Sequence, residues 1–423
     1  MKQVVGDARG DGDGFRPADV RGTPAGGWWR VAVAMFAVGY GANQIVPMLI
    51  VYRHTLNLSE SGTLAVLGTY SLGIGPAFLL GGPASDAYGR RGLVIPFTAV
   101  SVLASVALVA GHWSAFGLLL GRLLAGFASG VVFAVGSVWV TELLEPGRRS
   151  ASARLVAVSL STGFGAGPLV AGAVATWFPL PDVLPYGVHI AMALAALGAL
   201  VRAPETKPPT GRMRWSAALQ VPRQVRKAFM LLVLPLAPCV FGCATIAFTV
   251  LPARSPALAG GGSTVASGLL TALVLAVGVG VQPVARRLDS EPGRAAASGA
   301  ALSAIALAMG AWGTWAVSVP LLLAGIVLLG AAYGLLLVGG LRQVQRLSEP
   351  DTLASLVALF YAAAYSGALA PFLMSLAARA FSFGAALSAA AMMVAVLFAA
   401  VALTSRRLGS IGSARYDRDL LSG

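Results

Sequence analysis

An all-α membrane protein of twelve transmembrane helices, arranged as two six-helix bundles, is the fold class that this sequence predicts. Three observations carry it. Of 423 residues, 57% are hydrophobic and 11% are charged, against about 25% charged in a soluble domain, so the surplus apolar surface calls for lipid as its solvent. Twelve apolar runs recur at a regular pitch, each long enough to cross a hydrocarbon layer of about 30 Å. The longest polar interruption, residues 203–227, falls between the sixth and seventh runs. Such halves are the trace of parallel repeats, which place a substrate site between them near mid-membrane.

Residues 1–27 are Gly-rich, with four acidic side chains balancing four basic ones and few apolar residues, a composition that predicts a disordered tail and shows no secretory signal. The spans of the first bundle, 28–202, are 28–52, 60–82, 93–111, 115–143, 153–178 and 184–202. After the linker 203–227, the second bundle, 228–405, holds 228–251, 264–285, 295–315, 318–341, 353–378 and 383–405, and residues 406–423 form a second tail. Several spans contain Gly and Pro, which membrane helices tolerate. Span 1 carries Tyr40, Asn43 and Gln44, span 2 Tyr70, span 10 Tyr333, and span 11 Tyr361 and Tyr365. Asn43 and Gln44 are costly in lipid and are expected to face the interior. These seven are the candidates for a substrate cavity. An aromatic, apolar cavity of this kind suits lipophilic solutes better than sugars, which need many hydrogen-bond partners.

Charge predicts the orientation. The net charge is +14, and the basic residues sit in short loops between apolar runs, which fits the positive-inside bias and not nucleic-acid binding. Arg90, Arg91, Arg148, Arg149, Arg154, Arg286, Arg287, Arg294, Arg342 and Arg346 fall on one side, with Arg202, Lys207, Arg212, Arg214, Arg223, Arg226 and Lys227 in the central loop. Only Arg53, Arg254 and Arg379 fall on the other. Both termini are therefore expected in the cytoplasm, with the chain in the cell membrane. Cys239 and Cys243 share a helix face and read as small buried side chains, and His54, His112 and His189 are scattered. Neither set has the spacing of a metal site, and no cofactor is expected. No metalloprotease motif, Walker-type loop or paired acids inside a span point to an enzyme.

Four stretches carry mechanism. Gly82-Pro-Ala-Ser-Asp86-Ala-Tyr-Gly89-Arg90-Arg91 lies between spans 2 and 3. Its glycines permit a tight turn, and Asp86 at a span edge calls for a charged partner. Arg122 lies seven residues into span 4, about 10 Å along the helix, followed by Gly126 and Gly130 at a spacing that allows close helix contact. Span 5 holds Gly163-Phe-Gly-Ala-Gly167-Pro168-Leu-Val-Ala171-Gly172, where Pro168 frees a carbonyl and bends the helix. Glu142 and Glu145 end span 4, and Pro204-Glu205-Thr206-Lys207 ends span 6.

These stretches resemble the major facilitator superfamily, in particular its bacterial twelve-helix drug/proton antiporters. The first is similar to the family's signature loop Gly-x-Leu-Ala-Asp-Arg-x-Gly-Arg-Arg, with Ala84 for Leu and Ala87 for Arg. The resemblance implies that Asp86, Gly82, Gly89, Arg90 and Arg91 form a conformational latch braced against a helix end of the other half. It implies a coupling role for Arg122, with Glu142 as a further coupling candidate, and a hinge in helix 5 at Gly163, Gly167, Pro168 and Gly172. It also implies a monomeric secondary transporter that exports a small molecule in exchange for protons. The second half matches in span pattern alone, and after span 8 its Arg286-Arg287-Leu-Asp289 lacks the aspartate at the matching position. None of the 16 acids lies at mid-depth of a span, which leaves Glu142 and His189 as the groups able to carry a proton. Metabolite uptake by uniport or symport, and a non-transporting sensor on the same fold, stand as alternatives.

Overall fold

The computed structural model describes residues 26–421 except 146, 147, 149, 150, 212, 214–220, 259–262, 350 and 351, with side chains described through Thr404. The expected N-terminal tail lies outside these residues through position 25, as do Arg149, Arg212 and Arg214. Every regular element among the described residues is helical.

The helices that cross the apolar layer are α1 (Trp28–Thr55), α2 (Glu60–Tyr88), α3 (Arg91–Ala110), α4 (Ala115–Leu143), α5 (Ser152–Trp177), α6 (Leu184–Leu200), α7 (Arg223–Arg254), α8 (Thr264–Leu288), α9 (Arg294–Trp315), α10 (Val319–Leu347), α11 (Leu353–Ala380) and α12 (Phe383–Thr404). Each falls within a few residues of its predicted run. Eleven are long and apolar enough to span by themselves. The exception, α6, has 17 residues, or about 25 Å of helix, and a turn follows it at Val201–Ala203. The last helix continues beyond the layer to Leu421, through the segment expected as a tail.

Loops α2–α3, α4–α5, α6–α7, α8–α9 and α10–α11 define one end of the molecule, termed here the basic end for its arginines. At the opposite end Trp113, Phe116, Trp177, Phe178, Trp312, Trp315 and Phe381 are all more than half exposed. That is the position of an aromatic belt at a membrane–water boundary. Met392, Met393, Val396 and Leu403 project from α12 in the same exposed way, so its outer face meets lipid.

Close packing depends on glycine at the α2–α4 contact. A Cβ on Gly126 would lie 2.3 Å from the Tyr70 carbonyl, and one on Gly73 2.3 Å from that of Leu123. The two backbones therefore touch, as the small-residue spacing predicts. One apolar cluster gathers side chains of α1–α4 and α6. A second is built on α7–α12 and extends to Ile45–Tyr52 of α1 and to Val66 and Leu67 of α2.

Three helices depart from regularity beside one another. α1 is interrupted at Gln44, where Pro47 has no amide hydrogen to give the Asn43 carbonyl. α7 widens to a π-turn at Ile246–Val250, and α11 tightens to a 3₁₀ turn at Gly367–Leu369. Irregular backbone inside a bilayer persists where it borders a cavity or packed protein and not lipid.

Candidate functional site

At the basic end the signature loop closes on Gly89, whose φ of +83° suits a residue without a Cβ. Arg90, nearly buried, is the hub. Its Nη2 lies 2.9 Å from Glu142 Oε1, and its Nη1 lies 3.1 Å from Asp86 Oδ1 and also reaches the Ser85 hydroxyl. Burial opposes the charge on Arg90, but Glu142 and Asp86 outweigh it, so the guanidinium holds its proton more tightly than an ordinary arginine. Lys207 Nζ donates to Asp86 Oδ1 at 2.6 Å. The Glu205 carboxylate accepts from the backbone amides of Arg90 and Arg91 at 3.0 and 2.9 Å, capping the N-terminus of α3 where the helix dipole favours an anion. Arg91 donates to the Val201 carbonyl at 2.7 Å.

The latch was expected to brace against the other half. Among the described residues, the partners of Asp86 and Arg90 come from α2, α4 and segment 205–210. Glu142, expected as a coupling candidate, has both its oxygens engaged in this conformation, by Arg90 and by the Thr206 hydroxyl. Gly82 has open space around its Cα and makes no close approach. The second half has its own cluster: Asp289, fully buried, sits 3.1 Å from Arg346. It does not occupy the signature position, so the sequence pattern did not flag it.

At mid-depth a cavity of about 50 Å³ is lined by Asn43, Tyr70, Arg122, Phe164, Phe241, Thr245, Phe248, Tyr333 and Tyr365, with Leu67, Ala244, Leu275 and Ala368. It lies between helices of both halves, beside the three irregular turns. Phe241 and Tyr365 stack with centroids 3.9 Å apart, Tyr70 meets Tyr365 edge-on, and Phe78 stacks on Tyr361 at 5.0 Å. These rings plug the centre, so a drug-sized solute, which needs about 300 Å³ or more, enters only when they part.

Arg122 is 2% exposed. Its Nη1 donates to the Ala42 carbonyl at 2.8 Å and its Nη2 to that of Leu67 at 3.4 Å, and its guanidinium lies 4.5 Å over the Tyr70 ring. Among the described residues, Nε has no hydrogen-bond partner and no carboxylate lines the cavity.

The structure brings together four of the seven cavity candidates, Asn43, Tyr70, Tyr333 and Tyr365, with Tyr361 one ring away. Tyr40 and Gln44 lie elsewhere. Tyr40 stacks on His189 of α6, and Gln44 donates to Ser105 of α3 at 3.2 Å, whose hydroxyl is 2.7 Å from His189 Nδ1. The break at Gln44 turns that side chain into the first six helices, away from the central cavity. Phe78, Phe164, Phe241, Thr245 and Phe248 were not singled out, because a phenylalanine facing a cavity and one facing lipid look alike in a sequence.

The helix 5 stretch forms a seam. A Cβ on Gly163 or Gly167 would lie 2.4 Å from the Phe36 carbonyl or 2.3 Å from that of Tyr40, both on α1, and one on Gly172 would lie 2.6 Å from the Thr264 carbonyl of α8. Gly268 answers from α8, where a Cβ would be 2.3 Å from the Pro168 carbonyl. Beyond the seam, at the end opposite the basic loops, polar contacts join the two halves. Arg254 of α7 pairs with Glu60 of α2, Arg379 of α11 donates to Ser61, and the hydroxyls of Thr176 and Thr264 lie 2.7 Å apart. Two of the three arginines assigned to that side are therefore engaged across the halves.

The family pattern described as Major Facilitator Superfamily matches residues 31–371. Over 120 residues the chain is 34% identical to the human (Homo sapiens) solute carrier family 2, facilitated glucose transporter member 6, a stretch covering 27% of this chain and 24% of that protein. Over 185 residues it is 26% identical to inner membrane transport protein YnfM of Escherichia coli (strain K12), covering 42% of this chain and 40% of the relative. The chain thus spans less than half the length of the curated relatives it matches. Among solved structures, the human organic anion transporter MFSD10 (TETRAN) aligns with a TM-score of 0.66 at 17% identity, covering 88% of this chain and 98% of that one. The peptide transporter POT in complex with sulfate gives 0.71 at 15% identity, covering 91% and 95%. At these identities the structural likeness concerns the fold.

Proposed function

The chain belongs to the major facilitator superfamily and is a multi-pass membrane transporter, not an enzyme, and on that premise we propose that it exports a small, largely apolar molecule by alternating access in exchange for protons. The observation that carries the solute class is the lining of the central cavity. Aromatic and aliphatic side chains dominate it, and its polar groups are Asn43, Arg122, Thr245 and the hydroxyls of Tyr70, Tyr333 and Tyr365. A sugar, dense in hydroxyls, would leave most of its hydrogen bonds unmade there. The helix 5 stretch, similar to that of proton-exchanging exporters, supports the direction.

In this proposal the basic end faces the cytoplasm, both termini lie inside, and the transporter works as a monomer in the cell membrane. The Glu60–Arg254 and Ser61–Arg379 contacts then seal the outer side, while the latch residues stand apart from the second half. The conformation agrees with a state closed to the outside. Asp86, Arg90 and Arg91, with Gly82 and Gly89, brace the outward-open state, in which the latch meets the second half.

Inverted membrane vesicles given an inside-acid gradient test the proposal with a panel of fluorescent aromatic dyes. Accumulation that depends on the protein and collapses with the gradient supports export by proton exchange. Uptake equal to that of vesicles lacking the protein counts against it. One observation favours a second reading: no Asp or Glu lines the central cavity, so protein-dependent uptake that survives collapse of the gradient identifies a uniporter.

A further inference from the structure

We propose that the transported solute carries a negative charge, most simply a carboxylate on a planar aromatic body, and that Arg122 is the group that receives it. The proposal rests on the central cavity being the substrate site and adds the solute's charge to that reading. Among the described residues, Arg122 is a buried cation on the cavity wall without a counter-ion. Its partners among these residues are two backbone carbonyls and the face of Tyr70, which carry no net charge, and its Nε–H has no hydrogen-bond partner. A guanidinium has five N–H donors in a fixed fork. Stripping such a group of water is costly unless an anion or a full set of acceptors replaces it.

Within the described spans the acids stand at the helix ends. Glu60 is committed to Arg254, Asp86 to Arg90 and Lys207, and Glu142 to Arg90. None can turn inward to neutralise Arg122 without abandoning a pair. The missing negative charge is therefore best supplied from outside the chain. A carboxylate matches the fork of Arg122, and Asn43 on the same wall offers an amide donor beside it. The attached ring would enter where Tyr70, Phe241 and Tyr365 part, since these rings now meet one another, Phe241 stacked on Tyr365 at 3.9 Å and Tyr70 edge-on to Tyr365 at 6.0 Å. Arg122 also holds the Ala42 carbonyl next to the interruption of α1, so an anion drawing on the guanidinium acts directly on the least regular part of that helix.

The test is binding of three matched probes to the purified protein by calorimetry: 2-naphthoate, 2-naphthamide and 2-naphthylmethylammonium. The expected order is carboxylate over amide by about tenfold or more, from a charge-assisted hydrogen bond against a neutral one, with the cation weakest. Arg122→Gln should bring acid and amide to parity while amide binding stays within about threefold. Arg122→Lys, which keeps the charge, should retain part of the preference. Acid–amide parity in the native protein, a preference for the cation, or a preference that survives Arg122→Gln overturns the assignment. If both variants fail to fold, the native three-probe order decides alone. Failure of all three probes to bind removes the aromatic cavity itself and this proposal with it. Clear carboxylate preference without gradient-driven vesicle uptake leaves the anion site standing and counts against exchange for protons alone.

Discussion

Replacing Glu60 by Gln should open the end of the molecule opposite the basic loops. Glu60 of α2 and Arg254 of α7 form an ion pair across the two halves, with side chains 29% and 14% exposed. Arg254 also lies 3.7 Å over the ring of Phe383, so it keeps its position when the carboxylate becomes an amide. The loss is one charge-assisted hydrogen bond in a partly buried setting, about 1–2 kcal/mol once solvent screening is allowed for. That equals a shift of about 5–30-fold in the ratio of open to closed forms at this end. The reporter is Thr264→Cys in a chain whose Cys239 and Cys243 are both changed to Ala. Thr264 is 8% exposed, its hydroxyl faces Thr176 and donates to the Gly172 carbonyl, and a thiol there meets maleimide only when the halves part. At low reagent the labelling rate follows the open population, so it should rise by the same factor. A second reporter, Thr98→Cys, sits fully buried among the first six helices and should not change. An unchanged rate at position 264, or equal acceleration at both sites, refutes the clamp, the second result because it means general loosening and not gating.

Four further substitutions are decided by the same geometry. Arg90→Ala strips Glu142 of its cationic partner and should lower stability in detergent by about 2–4 kcal/mol. Asp86→Asn, at a side chain 58% exposed, should cost under about 1 kcal/mol while transport falls sharply, and thermal midpoints beside vesicle uptake rank the two. Gly126→Ala places a Cβ 2.3 Å from the Tyr70 carbonyl and 2.9 Å from the Ile74 amide nitrogen. Both are backbone atoms, so α2 and α4 must separate at a cost of about 1–3 kcal/mol or more, read as lost monodisperse protein on gel filtration. Glu205→Ala removes the acceptor for the amides of Arg90, Arg91, Thr206 and Lys207. Those amides should exchange hydrogen about tenfold faster or more, and unchanged exchange would refute the cap.

The spans were legible because an apolar run of membrane length has few alternatives, and α1–α12 fall where the runs do. Arg122 was legible for a related reason: a charge inside lipid is too costly to be incidental, and one dimension suffices to see it. Direction within a helix was not legible. In a helix apolar all round, periodicity carries no facing signal. Gln44 follows Asn43 by about 100° of turn, and the backbone break between them sends one side chain to the cavity and the other to Ser105. Pairings at a distance were equally hidden. Glu205 was visible as part of a Pro-Glu-Thr stretch, but its role as the cap of α3 depends on a fold that brings residue 205 to residue 90. The helix 5 glycines were read as a hinge, and only the packing assigns Gly163 and Gly167 to α1 and Gly172 to α8.

The two ends of the molecule are built to different rules, and the difference bears on how the halves can move. At the basic end the charge pairs close within a half: Arg90 with Asp86 and Glu142 in the first, Asp289 with Arg346 in the second. At the opposite end they close between halves, through Glu60–Arg254 and Arg379–Ser61. A rocking motion therefore leaves the basic-end clusters intact, each stiffening its own half, and breaks two polar contacts whose groups can find water when released. The α5–α8 seam offers little resistance, because Gly172 and Gly268 let backbone lie on backbone without interdigitating side chains. The aromatic plug resists more, since Phe241, Tyr365 and Tyr70 must part before a solute fits. If Arg122 receives an anion as proposed, the attraction between them offsets part of that cost. Solute binding and release of the clamp thus act on the same rigid bodies through α2, which carries Glu60 at one end, Tyr70 at the cavity and Asp86 at the other end.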